Sequence, residues 1–444
     1  MNKTFRPYEP DQIFLMPASM REWLPREHLA YFVSDVVDQL DLSAIMERYS
    51  RKERGYPPYH PRMMVKVLLY AYCTGVASSR KIARRLEEDI AFRVLATNNT
   101  PDFRTISDFR KDHLKALSAL FLQILKLCQK AGLVKLGHVA LDGTKVKANA
   151  SAHKAMSYKR MKEEEARLEG AVAELLKKAE ALDAEEDRRY GKDRRGDELP
   201  KELAFRESRL KKIREARKAL EAEQGDKGKE SGTPPEQAQR NFTDPDSHIM
   251  PTPGGEHFIQ AYNAQAAVDS AHQVIVAAEV TNQPSDRGQA EPMMDVVKAN
   301  TGQLPRQMSA DAGYFSSDVV KNLTAQGIDV YIPPDRMGHG SALPPAPRGR
   351  IPRGLSIVDR MRRKLRTKKG RKYYGLRKEL PEPVFGQIKQ ARGFRQFLLR
   401  GTKKASGEWQ FICAGHNLLK LFRAYRNGLV GQPARDGWAL VPAA

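Results

Sequence analysis

The period of the hydrophobic positions changes repeatedly along the chain, and each change marks a different kind of segment. Up to about residue 134 the spacing is helical. In HLAYFVSDVVDQL, Leu29, Phe32, Val33, Val36 and Leu40 fall on one face. The run Pro61 to Cys73 has Pro61 at a first helical position and Gly75 just past its end. It is apolar around most of its circumference, which predicts a buried helix. A short basic stretch, SSRKIARRLEEDIAFRVLA, follows. TISDFRKDHLKALSALFLQILKLCQKAGLV then reads as one long helix, with Leu114, Leu117, Phe121, Ile124 and Cys128 spaced by three and four. Residues 137 to 148 read as a strand ending at Asp142, with Gly143 in a tight turn; Lys145 and Lys147 then alternate with Val146 and Ala148.

Residues 152 to 240 have another composition, dense in Glu, Lys, Arg and Ala. Leu168, Val172, Leu175, Ala179 and Leu182 form one seam at heptad spacing, and Leu203, Leu210, Ile213 and Leu220 a second. They predict an antiparallel helical hairpin of marginal independent stability, with DRRYGKDRRGDELP as its loop and GDKGKESGTPPEQ as a linker. From about 256 an α/β pattern resumes. HFIQAYNAQAAVD and HQVIVAAEV predict strands joined at Asp269-Ser270-Ala271. A helix over Ala290 to Ala299, a strand from Met308 to Asp311, a helix over Ser317 to Gln326 and the strand IDVYIPP complete the pattern. Residues 334 to 354 read as loose, and helices follow around Glu382 and in EWQFICAGHNLLKLFRAY, where Trp409, Phe411 and Ile412 are expected in the core.

Charge changes this picture. The 444 residues carry 76 Lys+Arg against 54 Asp+Glu, a formal net charge of +22, and the pI is about 9.8. A clustered surplus of this size fits a polyanion such as DNA. In the basic stretch Arg80, Lys81, Arg84 and Arg85 lie between the apolar Ile82 and Leu86. This fits either a helix-turn-helix-like DNA reader or an ordinary bundle with a solvated basic face, and periodicity does not separate the two. Cys73, Cys128 and Cys413 form no CxxC pair and read as small core residues of a reducing compartment. With no signal peptide and no apolar run long enough to span a bilayer, the expectation is a cytoplasmic protein without a membrane partner. The histidines make no close pair at zinc spacing, and the absence of a GxxxxGK[ST] loop argues against an NTP-driven motor.

The candidate chemistry rests on three acids far apart in sequence: Asp142 in HVALDGTKVKANAS, Asp311 in QMSADAGYFS and Glu382 in ELPEPVFGQIK. Both aspartates are expected at strand tips. Glu382 is expected to open a helix that starts after Pro381, with Pro383 in the first position. If the three meet, they repel one another unless a cation neutralises them. Oxygen-only ligation points to Mg²⁺ or Mn²⁺, and a carboxylate-bound metal pair cuts or joins phosphodiesters. Lys389, seven residues past Glu382, is placed by helical spacing on the same face. Asp269 reads as a turn residue, and Asp286 is left outside the site.

With these stretches set out, the chain resembles a DDE-type transposase of bacterial insertion sequences, in the branch with a Y-R-E-K signature around the last acid. The matching stretches are YHPRMMVKVLLYAYCTGVASSRKIARRLEEDIAFRVLA, PDFRTISDFRK, LDGTKVKANAS, YNAQAAVD, SADAGY and YYGLRKELPEPVFGQIKQARGFRQFLLRG, in the family's order. The resemblance implies an α/β ribonuclease-H-like core, a mixed sheet flanked by helices, over residues 135–444. An all-α DNA-binding region over 1–134 would precede it, and the 152–240 hairpin would interrupt it. It implies Asp142, Asp311 and Glu382 as catalytic acids holding two divalent ions, with Asp142 bridging them. Tyr374, Arg377 and Lys389 would contact the terminal DNA strand. Four residues separate Arg377 from Glu382 where the common signature has three, so Lys378 is an alternative for the arginine role and Glu379 a lesser one for the acid. The implied partners are element ends and target DNA, with more than one protomer in the synaptic complex. The implied activity is strand cleavage and strand transfer. An inactive DNA-binding relic, or a nuclease without strand transfer, are the alternatives.

Overall fold

The computed structural model describes residues 19–50, 57–151, 154–190, 201–225, 234–252, 257–336, 345–349, 352 and 354–431; of residues 21, 50, 178–190, 201–203 and 223–225 it describes the backbone alone. Seven helices lead the described chain: α1 (Leu29–Gln39), α2 (Ser43–Ser50), α3 (Pro61–Cys73), α4 (Ser79–Glu88), α5 (Ile90–Ala96), α6 (Phe103–Asp112) and α7 (Leu114–Lys130). The expected apolar face of α1 is buried, and α3 is buried nearly all round. The basic stretch divides at Asp89, whose carboxylate accepts from the Ala91 and Phe92 amides and caps α5. The single long helix expected after it is two. The chain breaks at His113 (φ −106°, ψ 14°), a buried side chain hydrogen-bonded to Tyr49 at 3.1 Å. The buried Arg110 beside it is fixed by the Ala77 carbonyl at 2.7 Å. These tertiary anchors override the continuous apolar period.

The strands are β1 (His138–Lys147), β2 (Ala155–Ser157), β3 (Gln239–Asn241), β4 (His248–Pro251), β5 (Phe258–Asp269), β6 (Ile275–Thr281), β7 (Gln307–Ser309) and β8 (Asp329–Tyr331). Six of them form one mixed sheet. β1 is antiparallel to β5 and parallel to β7, which is parallel to β8. On its other edge β5 pairs with β4 at its start and β6 at its end. The interleaved helices are α8 (Tyr158–Tyr190), α9 (Lys201–Gly225), α10 (Ala290–Thr301), α11 (Ser317–Ala325), α12 (Ile357–Arg366), α13 (Lys368–Glu379), α14 (Pro381–Gly386) and α15 (Thr402–Arg426). The expected turn at Asp269 is present. Its buried carboxylate accepts from Leu136 N at 2.7 Å and Ala271 N at 2.9 Å.

Two expectations about β1 change. The strand does not end at Asp142 but runs on to Lys147, paired with β5 at every step. Gly143 is therefore no turn residue. A Cβ built there would lie 2.4 Å from Gln265 Nε2 and 2.6 Å from Asp286 Oδ1. Glycine is required because side chains from two other segments crowd against the strand at that point.

The helix α15 joins the two halves. Trp409 is fully buried and its Nε1 donates to the Gln265 carbonyl at 2.9 Å. Asn417 binds both backbone groups of Ile275, accepting at 2.9 Å and donating at 2.8 Å, which satisfies an outer strand. Phe411 meets Tyr72 of α3 edge-on at 4.6 Å. One continuous core thus contains α1, α3, α7, α15 and the sheet. Cys73, Cys128 and Cys413 are buried and free within it, as expected.

The α8–α9 pair has a separate small core of Met156, Tyr158, Met161, Leu168, Leu210, Ile213, Ala216 and Leu220. The ribbon β2–β3 closes its base, and Arg214 and Arg217 both bind Glu165. The seam positions Ala179, Leu182 and Leu203, loop residues 191–200, linker residues 226–233 and residues 337–344 fall outside the described residues or side chains. Among the described residues no helix is long and apolar enough to cross a membrane. Trp409→Ala is expected to destabilise the protein by about 3–5 kcal/mol, measured by urea denaturation. A loss below about 1 kcal/mol would show that α15 is not the joint.

Candidate active site

The parallel ladder between β1 and β7 pairs Ala140 with Ser309. Asp142 and Asp311 each lie two residues further on, one within β1 and one just past β7. Adjacent strands run about 4.8 Å apart, so the two carboxyls are neighbours. Asp311 caps the short turn Ala312–Tyr314, its Oδ1 accepting from Gly313 N at 2.8 Å. Asp142 Oδ1 accepts from Gly143 N at 2.9 Å. Burial, and then the Asp311 charge, push the Asp142 carboxyl up to about 7, with Arg377 and the Gly143 amide pulling the other way and Asp286 adding to the rise. A carboxyl so placed is held neutral or calls for a cation.

Asp286, expected outside, lies inside this cluster. Its Oδ1 accepts from Asn263 Nδ2 at 2.6 Å and Gln265 Nε2 at 2.8 Å. Its Oδ2 would stand 3.6 Å from a Cβ built on Gly313. The signal for it was directional. Because β6 is antiparallel to β5, it runs the same way as β1 and β7, and the loop leaving it emerges on the acids' side. Tyr314 forms the floor: it is fully buried, its hydroxyl donates to Gln265 Oε1, and burial followed by Asp286, Asp142 and Asp311 raises that hydroxyl's pKa far above its usual range.

The signature residues come from α13. Tyr373 packs against His138 at 5.6 Å and Tyr331 at 5.3 Å, which docks the helix onto β1 and β8. That docking brings the next residues to the acids. The Arg377 guanidinium lies 5.9 Å from the Tyr374 ring centroid and acts on Asp142. Burial raises the Tyr374 hydroxyl's pKa; Arg377 opposes and Asp311 reinforces the rise. Lys378 and Glu379 are exposed. Of the two basic candidates, Arg377 is the one whose charge reaches Asp142.

Glu382 is exposed and forms no metal-holding group with the aspartates among the described residues. The helix α14 begins at Pro381 itself, which occupies the first position where its missing N–H costs nothing, so the start expected after it is shifted. Val384 and Phe385 are buried under the sheet while Glu382 is exposed in the first turn. The acids that act on Asp142 are Asp311 and Asp286. The common face expected for Glu382 and Lys389 loses its basis, because a π turn over Gln387–Ala391 interrupts the helical register. Lys389 instead reaches β1, donating to Thr144 Oγ1 at 2.9 Å and to the Lys145 carbonyl at 3.0 Å. Burial, then Arg395, lower its ammonium pKa.

Arg80, Lys81, Arg84 and Arg85 are all exposed on α4. Arg84 pairs with Glu88 and Arg85 with Asp89 one turn on, and Arg80 lies 5.2 Å from the Phe103 ring centroid. The loop before α4 is held to the C-terminal half. Gly75 (φ +80°) approaches Arg392 so closely that a Cβ would lie 2.6 Å from its carbonyl oxygen.

The donor set suits a hard divalent cation: oxygen-only, crowded with negative charge and partly dry. It is not a finished shell. Among the described residues no three His, Cys, Asp or Glu side chains stand in an arrangement that could hold a metal ion.

Two family models match the chain: "Transposase domain (DUF772)" over residues 18–112 and "Transposase DDE domain" over residues 352–422. The first contains the α4 arginines; the second contains Tyr374, Arg377, Glu382 and Lys389. Asp142, Asp286 and Asp311 lie between them. No curated protein and no solved structure matches.

In the absence of divalent cations, Asp142→Asn is expected to stabilise the protein at pH 8, with the gain fading towards pH 4. The folded-state pKa is raised from 3.8 to about 7. The charged form therefore costs the folded state above pH 7, and that cost is gone below the unfolded value. Thermal melts across this range check it; a difference independent of pH would show that the carboxyl is not held up.

Proposed function

We propose that the chain, which carries the two modules of a DDE-type insertion-sequence transposase, binds the ends of its element and catalyses metal-dependent strand cleavage and strand transfer. The single observation that carries this reading is the pairing of Asp142 with Asp311 on adjoining parallel strands, with the Asp142 carboxyl pushed up to about 7. Such a pair is costly unless it has a use for a cation. The mixed sheet flanked by helices supports a ribonuclease-H-like core.

In this reading Asp142 and Asp311 would hold Mg²⁺ or Mn²⁺, and Glu382 would complete the set from the first turn of α14. When bound, a pair of such ions activates a water or a DNA 3′-hydroxyl and stabilises the departing oxygen. Arg377 and Tyr374 lie beside the acids, where a guanidinium and an aromatic hydroxyl grip and orient a terminal phosphate. Lys389 places a further cation along β1 beyond them. The exposed face of α4 binds the duplex backbone through Arg80, Lys81, Arg84 and Arg85. The partners are double-stranded element ends and target DNA, engaged by more than one protomer in a cytoplasmic, nucleoid-bound complex. The second reading, an inactive transposase-derived DNA-binding protein, is favoured by one observation: Glu382 is exposed and no three acids among the described residues are grouped to hold a metal ion.

Cleavage of supercoiled DNA bearing the element ends separates the two. Asp142→Asn, Asp311→Asn and Glu382→Gln are each expected to lower Mg²⁺-dependent nicking by about 10²-fold or more while leaving gel-shift binding intact. Wild-type cleavage by any one variant would remove that residue from the catalytic set, and no metal-dependent cleavage by the unaltered protein would select the relic. Arg377→Ala and Lys389→Ala are expected to weaken end binding and flatten its salt slope by about 0.9 per lost phosphate contact. An unchanged slope would mean that neither side chain touches phosphate.

A further inference from the structure

We infer that Asp286 is a further acid of this site, which holds the hydrated cation through its water shell rather than by direct ligation. The inference rests on the reading that Asp142 and Asp311 bind a divalent cation.

A third carboxylate beside that pair raises the cost of charging it, yet the fold aims it there. Asn263 and Gln265 face Lys145 and Gly143 across the β1–β5 ladder, and both are buried. Both direct their amide N–H groups to one oxygen of Asp286, Oδ1. Its Oδ2 is left on the Gly313 side, beside Asp311. Asn263 carries a second sign of a ligand. Its carbonyl Oδ1 is buried and has no hydrogen-bond partner among the described residues. That oxygen lies 2.8 Å from where a Cβ on Gly143 would stand, facing the same gap. A buried acceptor left unmatched costs about 1–3 kcal/mol unless something donates to it.

The ion pair with Lys145 is long and falls on Oδ1, so it leaves Oδ2 unaccounted for. The Lys145 Nζ is 3.9 Å from Asp286 Oδ1 and donates instead to the Pro284 carbonyl at 2.8 Å. Direct ligation through Oδ1 does not account for the arrangement either, because that oxygen already accepts from both amides. Mg²⁺ keeps several of its waters when few carboxylates bind it. Asp286 Oδ2 and Asn263 Oδ1 are acceptors for the hydrogens of such waters, a role that orients the ion as outer-shell partners do elsewhere.

Hexaamminecobalt(III) resembles hydrated Mg²⁺ in size and cannot exchange its ligands for carboxylates, so it reads water-type contacts alone. Calorimetric titration of the full chain is expected to show Asp286→Asn binding both Mg²⁺ and hexaamminecobalt(III) about tenfold or more weakly than wild type. Wild-type affinity for both ions in that variant, with Mg²⁺ binding lost in Asp142→Asn, overturns the inference and spares the reading beneath it. Weaker Mg²⁺ but unchanged hexaamminecobalt(III) overturns the water-mediated role. If Asp142→Asn also binds Mg²⁺ as wild type does, the reading itself fails. Should the Asn variant melt below the assay temperature, Asp286→Glu serves in its place. It keeps the charge but displaces it by a methylene, and is expected to weaken hexaamminecobalt(III) about threefold; wild-type binding would overturn the role.

Discussion

Two carboxylates on neighbouring parallel strands cannot both charge freely in a partly dry cleft, and the local structure is organised around that constraint. Glycines flank the pair: a side chain at Gly143 would collide with Gln265 and Asp286, and one at Gly313 would press on Asp311. Beneath lies Tyr314, buried and kept neutral, contributing no charge of its own. Two cations act on Asp142: Arg377, carried on a separate helix, and Lys145, three residues on along β1. Lys145 is local to the acids, whereas Arg377 comes from the far end of the sequence and reaches them through the docking of α13 onto the sheet.

That docking depends on aromatic packing rather than on charge. Tyr373 lies against His138 and Tyr331, and burial drives the His138 imidazole pKa down to about 4, so the ring is neutral where it stacks. His138 also bonds Ser309 at 3.0 Å, tying β1 four residues before Asp142 to β7 two residues before Asp311. One histidine thus fixes both the strand pairing that aligns Asp142 with Asp311 and the seat of the helix that supplies Arg377. Close packing transmits small displacements, so the acid spacing inherits the precision of this contact.

The legible parts of the sequence were those with strong local periods. The bounds of α3, the β5–β6 turn at Asp269 and the buried Trp409 all follow from apolar spacing and turn chemistry. The break at His113 was hidden, because the buried Arg110 and the Tyr49 contact lie in tertiary space. The path of β1 through Gly143 was hidden for a related reason. Glycine reads as a turn until the side chains opposite it are known. In the site, Asp142 and Asp311 were legible as acids at the ends of apolar runs. Asp286 was not, since a loop acid in NQPSDRGQAEP has no distinguishing neighbours until the strand directions are set. The π turn before Lys389 defeated simple helical counting.

The close approach of Gly75 to Arg392 has a mechanical meaning. Arg392 is itself buried, with its guanidinium directed at the carbonyls of Tyr72 and Ile412, so the hinge-like loop ahead of α4 is clamped rather than slack. Force applied to α4 would pass directly to α3 and α15. The basic surface of α4 is therefore fixed to the rest of the fold by a rigid contact and not by a tether.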